Sequence, residues 1–132
     1  MKTKRQKRKV ISKQLPTPCS ITCGSENPAS LGCQFYELEG GEVGTIFTPR
    51  SIHEGHNGIM HGGMSGAVLD ELMGRATLHV DFSGGRDWIP TYVTAEMTVQ
   101  YKKPIPVGSK MFGYGKIDLS LIHISEPTRL AL

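Results

Sequence analysis

The sequence predicts an α+β fold in which an antiparallel sheet wraps around one central helix. The predicted elements follow in the order strand, strand, helix, strand, strand, and the helix is apolar around most of its circumference. Such a helix has to be covered on several sides, which a curled sheet can do. With 132 residues, of which 38% are hydrophobic and 20% charged, the chain has the size and composition of one soluble domain. No apolar run approaches the roughly 20 residues of a membrane span.

The first element is a basic arm, residues 1–18, for which we predict disorder. Seven of the 15 Lys and Arg residues lie in residues 1–13, which contain no acidic residue. No aromatic residue interleaves with these cations, so nucleic acid is not an expected partner. No apolar segment follows the cations as it would in a secretion signal, and we expect a cytoplasmic protein. The three cysteines, Cys19, Cys23 and Cys33, are expected to be free thiols, without a metal.

A β-hairpin follows the turn-rich loop 19–32. Its strands, Cys33–Glu39 and Glu42–Thr48, are joined by Gly40-Gly41, a pair typical of tight turns. Thr91–Tyr101 is the strongest predicted strand, because apolar and polar residues alternate along it. The remaining predicted elements are a loop at His53–Met60, a helix at Gly63–Leu78, a loop at Asp81–Pro90, a turn at Pro104–Gly108 and a strand at Lys110–Asp118.

The last residues depart from this pattern. Residues 119–129 resemble the translation of a transposon-type sequencing-library adapter, and we interpret 119–132 as a non-native tail. On this interpretation the domain, residues 19–118, is incomplete, and we expect its C-terminal strands to be missing.

The junction between the glycine-rich loop and the helix, His61-Gly62-Gly63, is a candidate functional site. Backbone N–H groups in the first turn of a helix have no intrahelical acceptor, and the helix dipole places partial positive charge there. A negative charge that develops on a substrate would be stabilised at this point.

Two turns further on, the helix carries adjacent acids, Asp70 and Glu71. Glu71 lies four residues before Arg75 and can pair with it. Asp70 shares its stripe with Gly66 and Gly74, which each cost about 1 kcal/mol of helix propensity. They form a groove in which a second backbone or an extended ligand can reach the carboxylate. Alternatively, they only permit close packing of helix and sheet.

Several motifs together resemble the hotdog-fold acyl-CoA thioesterases of the phenylacetate-pathway (PaaI-like) group. The resemblance covers about residues 19–118. The matching motifs are Cys23-Gly-x-x-Asn27-Pro28, His53-x-Gly55, His61-Gly62-Gly63, Leu69-Asp70-Glu71, Met73-Gly74, Val93-Thr94-Ala95-Glu96 and Tyr101-Lys-Lys-Pro104-x-Pro106-x-Gly108.

The resemblance implies hydrolysis of an acyl-CoA thioester, without a cofactor, by a homodimer or a dimer of dimers that binds substrate across its subunit interface. Asp70 matches the catalytic acid, a nucleophile or a general base, and Glu71 is its rival. The Gly62 N–H matches the oxyanion donor, and Thr94 matches a hydroxyl that orients the water. The expected substrate-binding residues are His61, Gly63, His56, Asn57, Lys102 and Lys103, of which the two lysines could meet coenzyme A phosphates.

Two alternatives remain open. The spacing from His56 to Asp70 resembles that of hotdog dehydratases and hydratases, in which a histidine and an acid move protons next to a thioester. The second alternative is a module that binds acyl-CoA without catalysing a reaction. The acyl group itself is not specified by the sequence.

Overall fold

The computed structural model describes residues 7–77 and 93–117. Within these ranges it contains six strands and one α-helix. In chain order they are β1 (Val10–Lys13), β2 (Gln34–Leu38), β3 (Glu42–Phe47), β4 (Glu54–His56), β5 (Ile59–Met60), α1 (Gly62–Thr77) and β6 (Met111–Gly115), with a 3-10 turn at Ser51–His53 before β4. Strands β1, β2, β3 and β6 form, in that order, an antiparallel sheet.

Helix α1 packs against β3 and β6 and confirms the predicted arrangement of one helix on an antiparallel sheet. Val68, Leu72 and Ala76 recur every four residues and are fully buried, so they form one stripe of the helix. Phe35 and Val43 meet this stripe from the sheet. Burial of a large apolar side chain contributes about 1.5–3 kcal/mol, which makes this layer the main source of stability.

The predicted β2–β3 hairpin is confirmed. Gly40 and Gly41 have φ angles of 86° and 73°, in the left-handed region that glycine adopts without strain. The turn places Leu38 opposite Glu42 and sets the register of the whole pair.

The prediction that the arm, residues 1–18, is disordered is wrong for β1. Val10–Lys13 pairs with β2, with Lys13 opposite Tyr36. All four residues of β1 are exposed, so they show no alternation that could reveal the strand. The strand is stabilised by backbone pairing with a distant segment, which composition does not indicate.

The prediction of a strand at Thr91–Tyr101 is also wrong for the described residues, 93–101, which extend along α1 without entering the sheet. Alternation identifies two faces of a segment but not its hydrogen-bonding partner. Both sides of β3 are taken, by β2 and β6, and the segment contacts the helix instead.

The region predicted as a loop, His53–Met60, contains the short hairpin β4–β5, and Ile59 forms a further bridge with Pro106. The helix begins at Gly62, one residue before the predicted start. Leu78, the loop Asp81–Pro90, residues 91–92 and the predicted tail at 119–132 lie outside the described residues. Within the described ranges no helix is both long and apolar enough to cross a bilayer.

Candidate active site

His61 caps the start of α1. Its side-chain Nδ1 accepts a hydrogen bond from the Gly63 N–H at 2.8 Å, as an N-cap side chain does. A Cβ on Gly63 would lie 2.9 Å from this nitrogen, so the capping geometry requires glycine. The Gly62 N–H has no hydrogen-bond acceptor among residues 7–77 and 93–117. It therefore remains open at the positive end of the helix dipole.

The open end of α1 borders a surface cleft of about 170 Å³. Lys102 and Lys103 line it together with Gly62, so the structure brings these three predicted residues together. Met60 and Ile105 form its apolar side. Two cations and no acid are found among the described residues that line the cleft, which favours an anionic ligand with an apolar part.

Tyr101 also lines this cleft, and it was not among the predicted site residues. Its hydroxyl donates to the main-chain oxygen of Gly62 at 2.9 Å. A Cβ on Gly62 would lie 3.3 Å from the Tyr101 ring, so the absence of a side chain there allows the ring to approach. A signal for this residue was present in the Tyr101-Lys-Lys-Pro104 motif, but the motif does not show where the ring packs.

Asp70 and Thr94, both predicted as site residues, are brought together. The Thr94 hydroxyl donates to Asp70 Oδ1. Met97 lies over Gly66 on the same stripe of the helix, 3.6 Å from where a Cβ would be. An extended backbone thus lies beside the carboxylate, as the groove interpretation predicts. Gly74 does not take part in this contact within the described residues.

Glu71 has different surroundings. Arg75 Nε lies 2.9 Å from Glu71 Oε1, which confirms the predicted pair. Arg75 is only 4% exposed. It also donates to Gln14 Oε1 at 3.2 Å, to the Leu15 carbonyl at 3.0 Å and to Cys23 Sγ at 3.4 Å. Glu71 is therefore the partner of a buried cation that fastens the N-terminal arm to α1.

His53 has a structural role that the sequence reasoning missed. It is buried, its Nδ1 accepts from the Arg50 N–H at 2.9 Å, and its Nε2 lies 2.7 Å from the Ala29 oxygen. A neutral ring satisfies both contacts only with its proton on Nε2. The His53 carbonyl also accepts from the His61 N–H at 2.8 Å. His53 thereby connects its own turn to the loop at Ala29 and to His61, the residue that precedes α1.

The remaining predicted residues are not part of the cleft. His56 and Asn57 are exposed on the β4–β5 hairpin and do not line it. No hydrogen bond links His56 to Asp70 in the described part of the chain. Asp70 follows Gly62 by eight residues, which is about 12 Å along a helix. One chain therefore keeps the carboxylate and the open N–H group apart.

The arrangement of one central helix on an antiparallel sheet is that of the hotdog fold. Residues 57–118, just under half of the chain, match the family described as the thioesterase superfamily.

Two relatives are consistent with this assignment. A crystal structure of a thioesterase superfamily protein superimposes with a TM-score of 0.63 at 26% sequence identity, over 76% of this chain and 46% of that one. Acyl-coenzyme A thioesterase THEM4 of Xenopus laevis is 30% identical over 86 residues, which are 65% of this chain and 35% of the relative. The chain thus spans less than half the length of either relative.

Proposed function

We propose that the protein hydrolyses acyl-coenzyme A thioesters to a free acid and coenzyme A. The open Gly62 N–H in a cleft that also presents Lys102 and Lys103 carries this proposal. A thioester needs a hydrogen-bond donor at its carbonyl oxygen, and coenzyme A brings several phosphate charges. The likeness to a thioesterase named for acyl-coenzyme A supports the same substrate class. Membership of the PaaI-like group and a cytoplasmic location are part of this proposal.

In the proposed reaction, the oxygen of a water molecule bonds to the thioester carbon while the carbonyl electron pair moves onto its oxygen. The Gly62 N–H and the dipole of α1 stabilise this oxyanion. Asp70 accepts a proton from the water, and the Thr94 hydroxyl holds the carboxylate in place. When the carbonyl re-forms, the carbon–sulfur bond breaks and the thiolate takes up the proton. In the alternative course, an Asp70 oxygen bonds to the thioester carbon, the carbon–sulfur bond breaks and coenzyme A leaves as the thiolate; water then hydrolyses the mixed anhydride, which frees the acid and restores the carboxylate.

The same proposal requires a second copy of the chain. A general base acts within about 3 Å of the proton it removes, or through one water molecule. The separation of about 12 Å along α1 exceeds this reach. We therefore propose a homodimer, or a dimer of dimers, in which Asp70 of one copy faces the cleft at Gly62 of the other.

Asp70 is the preferred acid because its carboxylate is exposed and, among residues 7–77 and 93–117, its one hydrogen-bond donor is a neutral hydroxyl. Glu71 is engaged by Arg75, so a proton transfer at Glu71 would weaken that buried ion pair. Lys102 and Lys103 are exposed, and we expect them to attract phosphates by charge, with an affinity that falls as salt rises.

Release of coenzyme A thiol from short, long and aryl acyl-CoA by the size-selected oligomer tests the function. We expect Asp70→Asn to lower turnover at least about 100-fold, in the range typical for loss of general-base catalysis, while binding persists. Glu39→Gln, which alters an exposed acid next to the hairpin turn, is the control. Full turnover in Asp70→Asn with loss in Glu71→Gln would assign the role to Glu71. Saturable binding without thiol release by the parent would indicate a binding module instead of an enzyme.

A further inference from the structure

Ser65 is a buried polar residue in the first turns of α1, and the proposed reaction does not yet use it. It is 5% exposed and lines the same cleft as Gly62. Its hydroxyl makes no hydrogen bond to any residue within 7–77 or 93–117. Within these ranges Gln14 Nε2 is the one side-chain polar atom that lacks both a partner and contact with solvent, so the Ser65 hydroxyl is accessible from the cleft, where a ligand atom can become its partner.

The usual partner of a helical serine is already engaged. Such a hydroxyl often bonds back to the carbonyl four residues earlier, which here belongs to His61. That oxygen accepts from the Met64 N–H at 2.9 Å and from the Ser65 N–H at 3.3 Å. Both of its acceptor directions are therefore used by the backbone, and the Ser65 hydroxyl is left for the cleft.

Helix geometry directs this hydroxyl toward the open N–H group. Ser65 lies three residues after Gly62, on the same face, and each Cα–Cβ bond in a helix tilts toward the N-terminus. The side chain of Ser65 therefore covers the preceding turn, where Gly62 begins the helix. An O–H donor and an N–H donor consequently lie on the same face of α1, and both residues line the cleft.

We propose that the Ser65 hydroxyl is a second hydrogen-bond donor to the acyl carbonyl oxygen of the substrate, beside the Gly62 N–H. Ser65 forms no covalent bond and keeps its proton throughout; it stabilises the negative charge that the oxygen acquires. This assignment rests on the proposed thioester hydrolysis for the identity of the ligand.

The first test compares the parent with Ser65→Ala, Ser65→Thr and the control Ser25→Ala, an exposed loop position. Because loss of one oxyanion donor typically costs about 10²–10³ in rate, we expect Ser65→Ala to lower kcat at least about 10-fold. KM should change little, since the bond strengthens only in the transition state. Threonine keeps the hydroxyl and should restore most of the rate. A kcat in Ser65→Ala within about twofold of the parent would overturn the assignment.

A second measurement separates this inference from the proposed function. Butyryl-coenzyme A with an isotope label at its carbonyl carbon is bound to Asp70→Asn with and without Ser65→Ala, and the carbonyl stretch is recorded by infrared difference spectroscopy. Loss of a donor should raise the stretching frequency, even in a protein that binds the thioester without hydrolysing it. An unchanged frequency overturns the role of Ser65 whether or not the parent turns over. Failure of the parent to bind any of the short, long and aryl acyl-CoA thioesters, butyryl-coenzyme A included, would overturn both proposals.

Discussion

Replacement of Arg75 by methionine would test how strongly the N-terminal arm is fastened to the domain. Arg75 is 4% exposed, and its guanidinium carbon lies 4.3 Å from the centroid of the Phe35 ring. Methionine retains much of the side-chain length and removes the charge. The change leaves the Glu71 carboxylate without its cation and Gln14 Oε1 without its donor.

The magnitude follows from the burial of the pair. Removal of one partner of a buried ion pair costs about 3–5 kcal/mol. The Glu71 side chain is 21% exposed, so water compensates part of the loss. We therefore expect Arg75→Met to lower the free energy of unfolding by about 3 kcal/mol, at the lower end of that range.

Urea unfolding at equilibrium, followed by circular dichroism, measures this change. The backbone N–H of Gln14 donates to the Phe35 carbonyl oxygen at 2.9 Å. In hydrogen exchange, this N–H and the backbone N–H groups of β1 should lose protection first. If the stranded carboxylate causes the loss, the double variant Arg75→Met with Glu71→Gln should be more stable than Arg75→Met alone. A change below about 0.5 kcal/mol, the level of an ordinary surface substitution, would refute the reasoning.

Three further predictions concern the burial of one thiol and the backbone conformation at two glycines. Burial raises the pKa of the Cys33 thiol from 9.0 to about 12. The thiol therefore ionises more readily in the unfolded chain, and its contribution to stability is complete below pH 9.0 and declines as the pH rises toward about 12. Urea midpoints measured between pH 8 and 11 should fall less steeply in Cys33→Ala than in the parent; equal slopes would contradict this. Gly41→Ala should cost about 1–2 kcal/mol, because the hairpin turn holds a positive φ there. Gly74→Ala should be neutral or stabilising by up to about 1 kcal/mol, since its Cβ would enter open space in the described structure. A shift of the same sign in both glycine variants would be inconsistent with these conformations.

The features predicted correctly from the sequence are local ones. The hairpin turn depends on two adjacent glycines, and the pair of Glu71 and Arg75 depends on a spacing of four residues in a helix. Both features depend on residues that are at most four positions apart in the sequence. The start of α1 was predicted to within one residue, because the His61-Gly62-Gly63 sequence provides a cap and then two residues without side chains.

The incorrect predictions depend on contacts between distant segments. Strand β1 exists because an exposed stretch pairs with the edge of β2, more than 20 residues away in the chain. Residues 93–101 alternate as a strand does, but the helix provides their partners. For the same reason, the sequence does not indicate that Ser65 and Tyr101 line the cleft. A serine in an apolar helix and a tyrosine in an alternating segment carry no local sign that they share a cleft.

The way in which α1 is covered relates the fold to the proposed chemistry. One stripe of the helix packs on the sheet, a second stripe contacts residues 93–101, and Arg75 receives the N-terminal arm. Of the 16 residues of the helix, as the structure describes it, only Gly63 and Asp70 are exposed. Gly63 lies beside the open N–H at the start of α1, and Asp70 is the proposed base. The apolar helix that predicted a wrapped fold is therefore open to solvent at the two positions where the proposed reaction needs access to it.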